Sequence, residues 1–158
     1  MNKSTLIDKI IKALRSELET YVRAANSSHE EATAEENRAE NKYDTRGLEA
    51  SYLATGQANK VMELEEAIGA FEDLKAKPSD ESTIDVGALV ELDQNGEKSF
   101  YFIGPSAGGT EITDGVHEVL VITPQSPLGT QLQGQQRGDR LELTLAGAKQ
   151  PIQIVNVY

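Results

Sequence analysis

The chain has 158 residues, enough for one large domain or two small ones, and its formal charge is −11. This acidic balance excludes a protein held on nucleic acid by a general cationic face, because such a face must replace the counterions of the phosphates. Cysteine is absent, which excludes disulfides, thiolate metal sites and a cysteine nucleophile. Charges interrupt the apolar residues of the first segment, so we predict neither a signal peptide nor a membrane span and expect a cytoplasmic protein.

The composition divides the chain into two parts. All five prolines lie beyond residue 77, and ten of the thirteen glycines lie beyond residue 82. The first part is therefore dense in charge and free of proline, whereas turns interrupt the second. We predict a first domain over residues 1–77, a linker over 78–84 and a second domain over 85–158.

The first part has the pattern of two helices. Apolar residues recur at spacings of three and four from Leu6 to Ala25 and again from Leu48 to Leu74. Thr5 and Asp8 have the spacing of a capping box. Each helix spans roughly 30 residues, or about 45 Å. Because neither apolar stripe is wide enough for a globular core, we predict an antiparallel α-helical coiled-coil hairpin.

The segment between the two predicted helices is rich in acids and forms the tip of the hairpin, near residues 36–45. Seven carboxylates and three cations lie between residues 29 and 49. One interpretation is a solvated helical face that aids solubility. The other is that a rigid arm delivers carboxylates to a metal ion elsewhere, since Mg²⁺ often takes only one or two protein carboxylates. Asp44 also fits a simpler role as the cap of the second helix.

The second part is predicted to be β-rich. Alternating or apolar runs predict five strands, over residues 86–92, 98–103, 118–122, 140–145 and 152–158. Asn95-Gly96 predicts a tight turn between the first two strands. A short helix is predicted within residues 126–134, with proline in its first turn and glycine at its end. The predicted fold class is therefore α+β.

No self-contained active site is predicted. His29 and His117 are isolated in the sequence, and neither a phosphate-binding loop nor a nucleophile elbow is present. We therefore expect no catalytic residue, no bound metal and no cofactor in the isolated chain.

Residues 126–139, SPLGTQLQGQQRGD, resemble the signature S-P-x-G-x-x-L-x-G-x-x-x-G-D of bacterial Gre-type transcript-cleavage factors, the GreA/GreB-like family. Ala39 to Asp44 resemble the family's E-N-A-E-Y tip, with a gap of one residue. The order of a hairpin followed by a β-rich domain also matches, so the resemblance covers nearly the whole chain. The residues assigned to the docking signature are Ser126, Pro127, Leu128, Gly129, Leu132, Gly134, Gly138 and Asp139.

The resemblance implies an FKBP-like second domain without prolyl isomerase activity, docked on the rim of the secondary channel of RNA polymerase. The hairpin would enter the channel, where tip carboxylates (Glu36, Glu40 and Asp44) would help to bind the catalytic Mg²⁺ of the polymerase. The polymerase would then hydrolyse backtracked RNA by its own two-metal chemistry. The factor itself would be a monomer and not an enzyme, without sequence-specific nucleic-acid binding or a membrane.

The tip departs from the family pattern at one position. The family has D-L-x-E-N, whereas this chain has Asn37, Arg38, Ala39, Glu40 and Asn41. Glu40 matches the second carboxylate, but the neutral Asn37 stands where the aspartate should be. Asn41 and Tyr43 complete the tip region. Two alternatives stay open: a non-cleaving regulator that competes for the channel, and a coiled-coil interaction module unrelated to polymerase.

Overall fold

The computed structural model describes residues 1–33, 46–77 and 80–158, in which two long helices precede a β-rich segment. The helices are α1 (Lys3–Thr33) and α2 (Arg46–Lys75). The elements that follow are β1 (Leu89–Gln94), β2 (Glu97–Ile103), β3 (Glu111–Asp114), β4 (His117–Ile122), α3 (Pro127–Leu132), β5 (Arg140–Leu145) and β6 (Ala148–Val157). The predicted α+β class and the predicted lengths of the two long helices are confirmed. No helix among the described residues is long and apolar enough to span a membrane.

The described strands form one mixed sheet in the order β3-β4-β2-β1-β6-β5. β2 and β4 are parallel, and the other neighbours are antiparallel. The turn between β1 and β2 places Asn95 at φ 55° and Gly96 at φ 87°. Positive φ at both central positions is typical of the hairpin turn whose twist matches that of the strands. The predicted Asn-Gly turn is therefore confirmed.

Four local predictions need correction. The last strand begins at Ala148 and not at residue 152, because it pairs with β5 along its first residues as well. The first strand begins at Leu89 and not at residue 86, because the chain turns at Gly87, where φ is +96°. The four-residue strand β3 escaped prediction, since only Ile112 in it is buried. The predicted capping box at Thr5 is wrong: α1 begins two residues earlier, and the side chain of Asn2 accepts a hydrogen bond from the Thr5 N–H at 3.1 Å.

The chain forms two compact units. The first, unit 1, consists of Met1–Ala13 together with Gly69–Tyr158, and therefore contains the sheet with the start of α1 and the end of α2. The second, unit 2, is Leu14–Ile68. The predicted linker over residues 78–84 stays a prediction.

In unit 1 both faces of the sheet are covered. Val90 and Ile103 belong to one apolar cluster, which includes Leu132 of α3. On the opposite face the ring of Phe71 from α2 lies 6.1 Å from the ring of Phe102, centroid to centroid, and neither side chain is exposed. A β-carbon on Gly104 would lie 2.9 Å from the Phe71 Cζ atom, so this contact requires a glycine.

Polar contacts also hold the helix ends inside unit 1. The Lys9 ammonium donates to the Thr113 carbonyl at 3.0 Å and to the Asp114 carboxylate at 2.7 Å, at the end of β3. The hydrogen bond from Lys9 is the main cause that keeps the pKa of Asp114 below its usual range. Lys75 donates to Asp8 at 2.6 Å and thereby links α2 to α1.

Unit 2 consists of parts of the two long helices. Leu14 of α1 and Leu64, Ala67 and Ile68 of α2 are buried. The Lys60 ammonium lies 6.0 Å from the centroid of the Tyr21 ring, at the outer limit of a cation–π contact.

We expect Phe71→Ala to lower the free energy of unfolding by about 3–5 kcal/mol, because it opens a cavity against Phe102 and the sheet. Urea denaturation measures the loss. The control is Met62→Ala on the same helix, where the side chain is 59% exposed and little change is expected. Equal effects of the two substitutions would contradict the packing described for Phe71.

Candidate functional site

The predicted tip residues lie outside the described residues. They are Glu36, Asn37, Glu40, Asn41, Tyr43 and Asp44. Their proposed roles therefore stay predictions. Within the described ranges, no group of three or more His, Asp or Glu side chains is placed to hold a metal ion.

The docking signature begins at the N-cap of α3. The Ser126 hydroxyl accepts a hydrogen bond from the Gly129 N–H at 3.0 Å and donates one to the Thr123 carbonyl at 2.7 Å. Pro127 follows in the first turn, where its missing N–H is no loss. The predicted short helix is thus confirmed, and Ser126 is the residue that starts it.

Position 129 must be a glycine, because there is no room for a β-carbon. A β-carbon at this position would lie 1.9 Å from the Thr123 carbonyl oxygen and 2.8 Å from the Ser126 hydroxyl oxygen. The backbone of α3 therefore lies so close to Thr123 that no residue with a β-carbon fits at this position.

The end of the signature is fixed to neighbouring segments by its backbone. Gly134 has φ +76° and donates to the Ile84 carbonyl at 2.9 Å. Gly138 has φ +90° and donates to the Ile154 carbonyl of β6 at 2.8 Å. The Asp139 carboxylate accepts from the Gln136 N–H at 2.8 Å and closes the turn before β5.

The signature residues thus have internal roles, whereas four of the six residues between them are exposed to solvent. Leu132 is completely buried and Leu128 packs partly buried against the same apolar cluster. The exposed polar side chains of the segment are Thr130, Gln133, Gln136 and Arg137. A docking partner would meet this exposed set, which sequence reasoning did not single out.

Gln133 and Arg137 differ in the polar contacts that their side chains make within the chain. Gln133 donates to the Asp85 carboxylate at 2.8 Å, which is the main cause that keeps the pKa of Asp85 below its usual range. Arg137 makes no hydrogen bond or ion pair with any residue that the structure describes, so its guanidinium is available to a partner.

Sequence reasoning also missed a buried carboxylate. Glu91, on the central strand β1, is only 4% exposed. It accepts hydrogen bonds from Lys98 at 2.7 Å, from Asn156 at 2.7 Å and from the Tyr158 hydroxyl at 3.3 Å. Burial raises the pKa of Glu91, but these hydrogen bonds and the charge of Lys98 together hold it below its usual range. The available signal was an acid within an otherwise apolar run.

The comparisons with known proteins give distant structural matches. The crystal structure of GreA factor homolog 1 (Gfh1) from Thermus thermophilus is 21% identical, covers 94% of each chain and has a TM-score of 0.40. Gfh1 from Thermus aquaticus is 21% identical, with 93% of this chain and 92% of that chain covered and a TM-score of 0.41. The prokaryotic transcription elongation factor GreA/GreB from Nitrosomonas europaea is 18% identical, with 63% and 92% covered and a TM-score of 0.37.

These solved structures are of the class that the sequence resembles. No protein-family model and no curated protein sequence matches the chain.

We expect Gly129→Ala to destabilise the protein by about 1–3 kcal/mol, because the new β-carbon forces α3 away from Thr123. The matched control is Gly69→Ala in α2, where a β-carbon meets no atom within 4 Å. That helical substitution should instead stabilise by up to about 1 kcal/mol. Urea unfolding of the two variants should shift in opposite directions, and a stabilising Gly129→Ala would refute the close approach.

We expect Glu91→Gln to destabilise the protein by about 1–3 kcal/mol at pH 7, because it removes charged hydrogen bonds to Lys98 and Asn156. A lowered folded-state pKa means that the stabilisation is complete above the unfolded-state pKa of about 4.5 and is lost as the pH falls through the folded-state value. Urea unfolding at pH 7 and at lower pH should therefore show the wild type and variant converging in acid.

The control for this pH dependence is Glu118→Gln on β4, an exposed position. Its difference from the wild type should be small at both pH values. A Glu91→Gln difference that stays constant into acid would contradict the assigned hydrogen bonds.

Proposed function

We propose that the chain is a transcription elongation factor that binds RNA polymerase in its secondary channel, acts in the cytoplasm and modulates elongation. The observation that carries this proposal is the segment 126–139. Its fixed positions match the Gre-type signature, and in the structure Ser126, Gly129, Gly134 and Gly138 each meet a specific steric or hydrogen-bonding demand. The similarity therefore rests on residues that determine the local structure of this segment.

We further propose that residues 1–77 form an antiparallel coiled-coil hairpin. Asp8 of α1 contacts Lys75 of α2, whereas Tyr21 further along α1 lies near Lys60 earlier on α2. This opposite order along the two helices supports an antiparallel pair. With 31 and 30 residues, the two helices have the similar lengths, about 45 Å each, that such a pair requires.

The β-rich part would act as the docking domain, with an FKBP-like fold. The mixed sheet, the short helix α3 between β4 and β5, and the apolar cluster around Leu132 support this assignment. The exposed side chains of Thr130, Gln133, Gln136 and Arg137 would contact the polymerase. As a monomer with a formal charge of −11, the chain would recognise the protein rather than its nucleic acid.

The chain would not be an enzyme itself. Glu40, with Glu36 or Asp44, would supply carboxylate to the Mg²⁺ of the polymerase, whose own site hydrolyses backtracked RNA. Asn37 favours a second candidate, a regulator that occupies the channel without stimulating cleavage. An amide is neutral, so it is a weaker ligand for Mg²⁺ and cannot act as a base.

The test is RNA 3′-end cleavage in backtracked complexes of a bacterial RNA polymerase, with the wild type, Glu40→Ala and Asn37→Asp. If the chain stimulates cleavage, Glu40→Ala should reduce the rate about tenfold or more, as is typical when a group supporting a metal site is lost. Asn37→Asp should raise the rate, because it adds a carboxylate. Glu17→Ala, at an exposed position of α1, is the matched control and should leave the rate unchanged.

The same complexes distinguish the alternatives. A wild type that stimulates no cleavage but displaces a cleavage factor from the channel is the non-cleaving regulator. Failure to bind polymerase at low salt, where charge steering is strongest, would refute polymerase binding and leave a coiled-coil interaction module.

A further inference from the structure

A pocket within unit 1 is lined by lysines although the chain as a whole is acidic. Its volume is about 310 Å³, at the lower end of the range for small-molecule sites. Lys3, Lys75 and Lys77 contribute the cations. Ile7, Leu74 and Val86 contribute an apolar lining.

One of the lysines in this lysine-lined pocket, Lys3, has no acidic side chain in contact with its ammonium group. The Nζ atom of Lys3 is buried and has no hydrogen-bond partner among the residues that the structure describes. Burial lowers the pKa of Lys3, and the charge of Glu81 offsets this only in part. A buried ammonium without a hydrogen bond is costly, so an acceptor brought by a ligand would be strongly favoured.

The local charges indicate the kind of anion. Lys75 is already paired with Asp8 at 2.6 Å, and Glu81 lies near enough to Lys3 to affect its charge. The three lysines and these two acids together leave one positive charge unbalanced. A singly charged anion therefore fits better than a phosphate dianion, and the apolar lining suits a ligand with an aliphatic stem.

We propose that this pocket binds a carboxylate carried on a short apolar stem, with the Lys3 ammonium as its main donor. Such a carboxylate can belong to a free short-chain acid or to the C-terminal residue of a peptide. The inference goes beyond the proposed function and does not depend on it, because no step of it involves polymerase.

The test is an NMR titration of the full-length ¹⁵N-labelled protein at pH 7, followed at the amides of Ser4 and Gly87. The probes are butyrate, N-acetyl-alanyl-leucine with a free carboxylate, the neutral analogue butyramide, and inorganic phosphate. We expect saturable shifts with the two carboxylates and none with butyramide. Tighter binding of the peptide acid indicates a peptide terminus as the source, and tighter binding of butyrate indicates a free acid.

The variants identify the donor. Lys3→Met keeps an aliphatic side chain and should weaken carboxylate binding about tenfold, the loss expected for a charged hydrogen bond. Lys77→Met, at an exposed position, should weaken it several-fold without affecting the fold. Lys12→Met is the matched control, since Lys12 is exposed on α1 outside the pocket and its loss should change nothing.

Several results would overturn the proposal. They are the absence of saturable shifts, equal responses to butyrate and butyramide, tighter binding of phosphate than of either carboxylate, and unchanged affinity in both Lys3→Met and Lys77→Met. If Lys3→Met does not fold, Lys77→Met and the butyramide comparison still decide the outcome.

Discussion

The requirement that the central strands be covered on both faces determines how unit 1 is built. Four successive residues of β1, from Leu89 to Leu92, are buried, so neither face of that strand can meet water. α3 and its apolar cluster lie against one face. The end of α2 supplies Phe71 to the other, and Lys9 fastens the start of α1 to the end of β3. The helix ends therefore belong to the core of the β-rich part.

The sequence predicted correctly those elements whose conformation is determined by a few neighbouring residues. Asn95-Gly96 specified its turn by itself, because two positive φ angles in succession suit few other residue pairs. β3 was missed because four residues with one buried side chain carry no clear alternation. The start of α1 was misplaced because two residues could cap it, and the side chain of Asn2 does so.

The candidate site shows a similar limit. The signature was recognisable from sequence. Only the structure shows that Ser126 and Gly129 stabilise the start of α3, whereas Gln133 and Arg137 are exposed on the surface. The Glu91 cluster could not be assembled from sequence, since Asn156 and Tyr158 lie 65 and 67 residues away. The tip carboxylates stay a sequence-based hypothesis, in which Asn37 separates a cleavage factor from a channel-occupying regulator.

The inclusion of the helix ends in unit 1 has a consequence for dividing this protein into modules. A cut at the proline-marked junction near residue 78 would leave a fragment whose Phe102 has lost the Phe71 ring that covers it. The natural places to join a foreign helical arm are instead within the helices, near residues 13 and 69, where the two compact units meet in the chain. Any exchange of the helical segment must therefore preserve the start of α1 and the end of α2, which belong to the same compact unit as the sheet.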